Sequence, residues 1–173
     1  MRVVRAAREK LGPLDALVVN HARSGRGRLD ELTAAQLDAF LHVNVRASLL
    51  LVKEFAAQFE ADAGRVVFLT SGAHLAPMAA EVAYAVSKGA LAVATATLAE
   101  ELADRGITVN CVNPGPTETG WGLAELDPAG RMPFGRWGEP DDAARLVAWL
   151  CRDEGRWITG QVLDSEGGFR RSM

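Results

Sequence analysis

Short apolar runs and longer amphipathic segments alternate along this chain. Three of the runs are rich in β-branched and aliphatic residues and are bounded by Gly, Pro, Asn or Ser, as buried strands are. They are LDALVV at 14–19, RVVFLT at 65–70 and ITVNCVNPG at 107–115. A last strand and turn are predicted in TGQVLDSEGG at 159–168. The first run is apolar enough to be covered on both faces, which is typical of a strand inside a parallel sheet.

Segments with a helical period separate these strands. Apolar residues that recur every three or four positions predict helices at 2–10, 33–60, 82–104 and 139–151. Thr33 stands where the N-cap of the second helix is expected. Residues 116–138 are rich in Gly and Pro and are expected to be irregular, with room for one short helix.

The order of the elements predicts the fold class. Strands that alternate with helices favour an α/β protein with a doubly wound (Rossmann-like), mostly parallel sheet and helices on both faces. The sequence contains no internal repeat or low-complexity linker, so residues 1–173 are expected to form a single domain.

The composition argues against several functions. The net charge of −3, without a basic block, makes nucleic acid an unfavourable partner. No apolar run is expected to span a membrane, and the charged N-terminus does not resemble a signal peptide. Cys111 and Cys151 are expected to be buried thiols, and the three histidines lack the spacing of metal ligands. We therefore expect a cytoplasmic protein that binds no membrane and no metal.

One predicted helix carries a pair of residues with chemical potential. Tyr84 and Lys88 are four positions apart, so their side chains lie on the same face. The spacing alone is common, but Ser71 follows the strand that precedes this helix. Ligands of open parallel sheets bind beyond the carboxyl ends of the strands, which is where Ser71 is expected.

Further polar positions are expected at the same edge of the sheet. Asn20 follows the first strand, and Pro114-Gly115 end the third. Asn44 interrupts the apolar stripe of the 33–60 helix, where a buried amide needs a partner or a function.

This set of residues resembles the short-chain dehydrogenase/reductase family, and the tail and the compact 116–138 segment resemble most its 3-oxoacyl-carrier-protein reductase branch. The matching features are Asn20, Asn44 in HVNVRAS, Ser71, Tyr84-x-x-x-Lys88, NPGPTET at 113–119 and the tail from WGEPDDAA to WITGQVLDSEGG. Together they extend from about residue 3 to residue 168. The resemblance implies that NAD(P)H is the cofactor and that a ketone, with a 3-oxoacyl thioester as one option, is interconverted with a secondary alcohol.

The resemblance also implies a role for each residue. Tyr84 would donate or accept the proton, and Lys88 would lower the pKa of Tyr84 and bind the cofactor's ribose. Ser71 would position the carbonyl, and Asn44 would hold a water in a proton relay with Lys88. Cofactor contacts are expected from Asn20, Ala22, Tyr84, Lys88, Pro114, Gly115, Thr117 and Thr119.

Plain structural roles stay open for several of these positions. Ser71 could cap a turn, Asn44 could bridge its helix to a loop, and Thr119 could be a helix N-cap. His74 is expected to be a partly exposed loop residue, although its distance from Ser71 would let it line a substrate cleft. The Arg-Gly cluster at 23–28 fits a solvated loop better than a phosphate site.

The sequence departs from the family pattern in two places. The family's Asn-Asn-Ala-Gly run reads Asn20-His21-Ala22-Arg23 here, so a cation replaces glycine where the backbone passes the adenosine half of the cofactor. Arg23 could instead meet an anionic ligand. No glycine-rich turn precedes the first strand, although that turn holds the pyrophosphate in dinucleotide-binding folds.

These departures suggest a partial domain. The strands correspond to the family's fourth to seventh, so we expect an N-terminally truncated chain whose edge at 14–19 is open to another chain. Such a chain is expected to bind NAD(P)H weakly or not at all. The alternative to an active enzyme is then a catalytically silent remnant or an interaction subunit.

The two long predicted helices are expected to form a homodimer or homotetramer interface. The family pairs its equivalents of 33–60 and 82–104 between subunits. The small apolar face on the second helix fits such packing, although a core contact within one chain would look similar. This face comprises Ala90, Val93, Ala94 and Thr97.

Overall fold

Four parallel strands form the sheet in the part of the chain that the structure, a computed structural model, describes: residues 2–120, 123, 127–128 and 130–171. The strands are β1 (Ala16–Val19), β2 (Gly64–Leu69), β3 (Ile107–Asn113) and β4 (Val162–Asp164). Their spatial order, β1-β2-β3-β4, is also their order in the chain. The helices are α1 (Arg2–Leu11), α2 (Ala34–Phe40), α3 (Ala47–Gln58), α4 (Val82–Leu102) and α5 (Pro140–Leu150). The predicted doubly wound α/β fold is confirmed.

Helices cover both faces of the sheet because alternate residues of β2 point in opposite directions. Val66 and Phe68 pack in one apolar cluster with residues of α3 and α4. Val67 and Leu69 pack in a second cluster with Leu150 of α5. The central strands are therefore buried on both faces, as their continuous apolar runs predicted.

The predicted helix at 33–60 is one helical rod in three parts. Thr33 is its N-cap, as expected: the Thr33 hydroxyl accepts from Gln36 N at 3.2 Å, and Gln36 Oε1 accepts from Thr33 N at 2.9 Å. Between α2 and α3, residues Leu41–Arg46 form a π-helical segment. A π-helical turn inside an α-helix often marks a functional site, and this one contains Asn44.

Strand β1 lies at an edge of the described sheet, with β2 as its neighbour there. The prediction of an open edge is confirmed, but the expectation that this strand is covered on both faces is wrong. Val19 packs beside α3, whereas Val18 is 44% exposed on the other face. The apolar composition showed that the strand could be buried but did not show which neighbours cover it.

Helix α4 corrects the expectation that no apolar run reaches membrane-spanning length. The segment Val82–Arg105 has 24 residues and is apolar enough to cross a membrane by length and composition alone. Core helices share these properties, and Leu91, Ala99 and Leu102 of α4 pack in the same cluster as β3.

The remaining predictions concern the thiols and the irregular region. Cys111 is buried, and burial raises the pKa of its thiol to about 11, whereas Cys151 is only half-buried, contrary to expectation. Residues 121–122, 124–126 and 129, within the region predicted to be irregular, lie outside the described residues, and the short helix predicted there is not tested. Around them, Thr117 forms an isolated parallel bridge with Gly138.

Candidate active site

The carboxyl ends of the parallel strands bring the predicted site residues to one edge of the sheet. Ser71 follows β2 by two residues, and Pro114-Gly115 directly follow β3. Helix α4 begins after the loop that carries Ser71 and runs back along the sheet. Its first turns therefore present Tyr84 and Lys88 near the ends of β2 and β3.

Lys88 is built into the junction between α4 and β2. Its side chain is buried, with the residue 3% exposed, and Nζ donates to Leu69 O at 2.7 Å. Thr70 strengthens this junction because its hydroxyl donates to Lys88 O at 2.9 Å. Burial lowers the pKa of Lys88. An ammonium has three N–H donors, so two remain for a ligand.

Tyr84 lies in an environment that favours its neutral form. Burial raises the pKa of Tyr84, the negative charge of Glu81 raises it further, and the hydroxyl of Ser71 lowers it by hydrogen bonding. The net shift is therefore upward for the chain by itself, and the lowering contribution expected from Lys88 stays a prediction. The reason is that the buried phenol loses the hydration its anion would need, whereas the Lys88 ammonium is directed to Leu69 O.

Ser71 contacts Tyr84 and does not cap the turn that follows it. The 3₁₀ turn Gly72–His74 begins next to Ser71, yet the Ser71 side chain makes no capping hydrogen bond. Its Oγ lies 3.8 Å from the sulfur of Met78 and interacts with the Tyr84 hydroxyl. Ser71 is thus near enough to Tyr84 to act on its pKa, and the catalytic roles of the two residues stay predictions.

Asn44 bridges three parts of the structure. Its Oδ1 accepts from Arg23 N at 2.6 Å, and its Nδ2 donates to Arg23 O at 2.9 Å and to Ser87 Oγ at 2.8 Å. The residue is completely buried in the π-helical segment. The bridging role left open by the sequence is therefore present, and its partners are the loop after β1 and helix α4. The water relay stays a prediction.

The loop after β1 tolerates arginine where the family has glycine. Arg23 is held through both backbone polar groups by Asn44, and its guanidinium lies 5.5 Å from the ring centre of Phe40. Among the described non-glycine residues, Ala80 alone has a positive φ (61°). The φ of Arg23 is therefore not positive, and the backbone there does not require glycine. Asn20 and Ala22, predicted to contact the cofactor, are exposed at this edge.

The loop after β3 is shaped by hydrogen bonds and by a glycine. Gly115 has a φ of +66°, and a Cβ there would lie 2.8 Å from Glu166 Cα. Glycine is thus required by the chain's own packing, in addition to any approach of a cofactor. The Thr117 hydroxyl donates to Pro114 O at 3.1 Å, while Thr119 is exposed. The N-cap role considered for Thr119 depends on residues that lie outside the described ranges.

Sequence analysis missed a polar cluster at the ends of β3 and β4. Asn113 Nδ2 donates to Asp164 Oδ1 at 2.7 Å and to Glu166 Oε1 at 2.6 Å. Glu166 also pairs with Arg171, and Asp164 with His74. Asn113 and His74 lie 50 or more positions before their acidic partners in the chain, so no local pattern connected them. The two acidic residues at alternate positions, one at the end of β4 and one just after it, were the available signal.

The whole chain is similar to one known family of proteins. The family model described as Enoyl-(Acyl carrier protein) reductase matches residues 1–170. The uncharacterized oxidoreductase YjdA of Bacillus subtilis is 46% identical over 170 residues, which are 94% of this chain and 67% of that protein.

Solved structures agree in fold. A short-chain dehydrogenase from Burkholderia cenocepacia in complex with NADP has a TM-score of 0.86 and 38% identity, and the match covers 96% of this chain and 70% of that one. The angucycline C-6 ketoreductase LanV with bound NADP has a TM-score of 0.85 and 33% identity, covering 95% of this chain and 66% of that one. The chain thus spans about two thirds of the length of these relatives.

Proposed function

Because the chain belongs to the short-chain dehydrogenase/reductase family, whose cofactor is NAD(P)H, we propose that it interconverts a ketone and a secondary alcohol. One observation supports this proposal: at the carboxyl edge of the sheet the Ser71 hydroxyl is near enough to lower the pKa of Tyr84, and the buried Lys88 lies one helical turn away. Two neighbouring hydroxyls, one of which can also give up its proton, can both donate hydrogen bonds to a single carbonyl oxygen.

The residues at this edge fit the nicotinamide end of the cofactor. The two free N–H donors of Lys88 suit ribose hydroxyls. In the loop after β3, Oε2 of Glu118 is buried without a hydrogen-bond partner, and a bound group with an N–H donor, such as a carboxamide, would satisfy it. We assign the cofactor contacts to Asn20, Ala22, Tyr84, Lys88, Pro114, Gly115, Thr117 and Thr119.

The residues divide the work of reduction between them. NAD(P)H, when bound, supplies the hydride to the carbonyl carbon. Tyr84 transfers its phenolic proton to the carbonyl oxygen, while Ser71 donates a hydrogen bond to the same oxygen and holds it in place. Because burial raises the pKa of Tyr84, the phenol carries its proton at neutral pH, as reduction requires.

Lys88 and Asn44 support this proton transfer. The positive charge of Lys88 stabilises the Tyr84 phenolate that forms during the reaction. Through its hydrogen bond to Ser87, Asn44 fixes the helix that carries Lys88. We also assign to Asn44 the binding of a water that returns a proton to Tyr84 by way of Lys88. The atoms balance: the ketone gains one hydride and one proton and becomes a secondary alcohol.

A 3-oxoacyl thioester is the first substrate class to test. The matching family model is described as Enoyl-(Acyl carrier protein) reductase. This description supports an acyl thioester as the group next to the reacting bond. A bulkier cyclic ketone is the second, because LanV is described as an angucycline ketoreductase.

The test is a spectrophotometric assay with NADPH and, in parallel, NADH. We expect the purified chain, supplied with excess cofactor because its binding is expected to be weak, to oxidise one of them with a 3-oxoacyl thioester or a cyclic ketone. We expect Tyr84→Phe to lower kcat by roughly 100-fold or more. Val86→Ala, at an exposed position of the same helix, is the matched control and should leave kcat unchanged. Full activity in Tyr84→Phe would contradict the proposal.

A second candidate is a catalytically silent remnant or an interaction subunit. The open edge of β1 and the lack of a glycine-rich pyrophosphate turn in the sequence favour it. If this candidate is correct, the fluorescence of NADPH does not change when the chain is added at micromolar concentrations. Saturable binding in the micromolar range would exclude it and leave the enzyme.

A further inference from the structure

His74 connects the loop that carries Ser71 to the end of β4. Its Nδ1 lies 3.2 Å from Ser71 O, and its Nε2 lies 3.2 Å from Asp164 Oδ1. The side chains of His74 and Asp164 are 30% and 35% exposed, so the contact is partly shielded from water. The imidazole therefore spans two segments that are 90 residues apart in the chain.

Both ring nitrogens face oxygen acceptors. A backbone carbonyl and an ionised carboxylate can only accept, so each contact is a hydrogen bond only if that nitrogen carries a proton. The protonated ring satisfies both contacts, and either neutral tautomer satisfies one. The geometry is that of a rigid strut between Ser71 and Asp164.

The far end of this strut is well anchored. Asp164 is the last residue of β4, and its Oδ1 also accepts from Asn113 Nδ2 at 2.7 Å. The same amide binds Glu166, which pairs with Arg171. A Cβ at Gly72 would lie 2.8 Å from Glu166 Oε1, so the loop already packs closely against this segment.

At the Ser71 end of this strut, few contacts hold the Ser71 side chain in place. The Ser71 backbone is extended, with φ −146° and ψ 171°, and its hydroxyl makes no capping bond. Apart from Tyr84, its contact is the sulfur of Met78 at 3.8 Å, and a thioether is a weak acceptor. The direction of the Ser71 hydroxyl therefore depends on where the backbone of the loop is held.

We propose that His74 is a positioning residue for Ser71: by joining Ser71 O to Asp164, it holds the Ser71 hydroxyl against Tyr84. This inference rests on the proposed function, since Ser71 matters only if it addresses the substrate carbonyl. His74 itself touches no reacting atom in this scheme. Its effect on the reaction must therefore pass through Ser71.

A double-mutant cycle tests this coupling with kcat for ketone reduction as the readout. We expect His74→Ala to lower kcat about tenfold with the cofactor KM unchanged, and Ser71→Ala to lower it further. The double variant should be no slower than Ser71→Ala, because a residue that acts through Ser71 has no effect without it. His42→Ala, at an exposed helical histidine, is the matched control.

Two conservative variants separate the ends of the strut. An asparagine amide reaches the position of Nδ1 and can keep the bond to Ser71 O, while a glutamine amide reaches the position of Nε2 and can keep the bond to Asp164. We expect neither His74→Asn nor His74→Gln to recover the lost kcat, because each keeps one end of the strut and loses the other. Full recovery by either would show that one contact suffices and would contradict the strut.

The possible failures are distinguishable. If Ser71→Ala is inactive and His74→Ala is as fast as the wild type, or if the two losses multiply, the inference is wrong and the proposed function stands. If the wild-type chain reduces no ketone, the proposed function fails first. Amide hydrogen exchange at Gly72 and Leu75 then still decides whether His74 holds the loop: faster exchange in His74→Ala supports it, and unchanged exchange refutes it.

Discussion

Tyr84 shows which part of a side chain's environment can be predicted from sequence and which cannot. Its spacing from Lys88 and its place after Ser71 were readable, and the structure brings Ser71 and Tyr84 together. The direction of its pKa shift was not readable, because it depends on burial and on Glu81. Sequence indicates which groups are neighbours, whereas hydration of a phenolate depends on everything packed around it.

This environment can be measured directly because Tyr84 is the single tyrosine of the chain. We expect tyrosinate absorbance to appear with a midpoint above the usual value of 10 in the folded, cofactor-free chain. Tyr84→Phe should remove the transition. A midpoint at or below 10 would show that Lys88 outweighs burial.

The same shift sets a pH dependence of stability. The pKa of Tyr84 is higher in the folded than in the unfolded chain, so the unfolded chain loses its proton first as the pH rises. The free energy of unfolding of the wild type should therefore fall relative to that of Tyr84→Phe above about pH 10, and the two should run parallel below it. Urea unfolding of both proteins across this range provides the measurement.

At the scale of elements, the interrupted helix between Thr33 and Gln58 shows the limit of periodicity. A π-helical turn inserts a wider turn into a helix without changing the residue types that favour helix, so the pattern predicted one continuous rod. The awkward amide of Asn44 was the visible sign that something special lies there. Its partners, Arg23 and Ser87, come from other elements and could not be read from its own helix.

Asn44 should therefore contribute strongly to stability. Asn44→Ala removes three hydrogen bonds, one of them to the buried hydroxyl of Ser87, so we expect a loss of about 2–4 kcal/mol in the free energy of unfolding. Lys53→Ala, on the exposed side of α3, should change it by less than about 0.5 kcal/mol. Equal effects of the two substitutions in urea unfolding would show that the bridge is unimportant.

Two glycines should respond to alanine with opposite signs. Gly115 has a positive φ and would place its Cβ against Glu166, so Gly115→Ala should destabilise by about 2 kcal/mol or more. Gly89 lies inside α4 with open space around its missing Cβ, so Gly89→Ala should stabilise by about 0.5–1 kcal/mol. Thermal unfolding of both variants checks the pair, and a shift in the same direction would contradict the assignment.

At the scale of the whole molecule, the order of elements was predictable and their coverage was not. The alternation of apolar runs and helical segments predicted a parallel sheet, because strands that are connected through a helix usually lie parallel to each other. Which face of β1 is covered, and that His74 meets Asp164, depends on contacts between segments far apart in the chain. Such contacts depend on many side chains at once, so no local stretch of the sequence indicates them.

The outer face of α4 decides one alternative that the sequence left open. Val93 is 76% exposed and Thr97 is exposed, while Ala90 and Ala94 are half-buried, so the outer part of this face lies outside the chain's own core. We propose it as the surface that pairs two copies of the chain. Exposed apolar and small side chains on a long helix can bury a helix of a second copy.

Val93→Arg should then weaken self-association in sedimentation velocity. The introduced charge would be buried between the helices without a partner, which strongly disfavours the dimer. Val18→Lys introduces a similar charge at the open edge of the sheet and serves as the matched control. Loss of association in Val18→Lys alone would place the interface at β1 instead.

The strand order has a consequence for how the chain acquires its structure on the ribosome. Since β1, β2, β3 and β4 are adjacent in the order in which they are synthesised, each new strand can dock on the border left by the one before it. Among the described strands, none has to be inserted between two that have already paired, so this part of the sheet can grow from β1 towards β4. It ends on the three-residue β4, which presents little unpaired backbone.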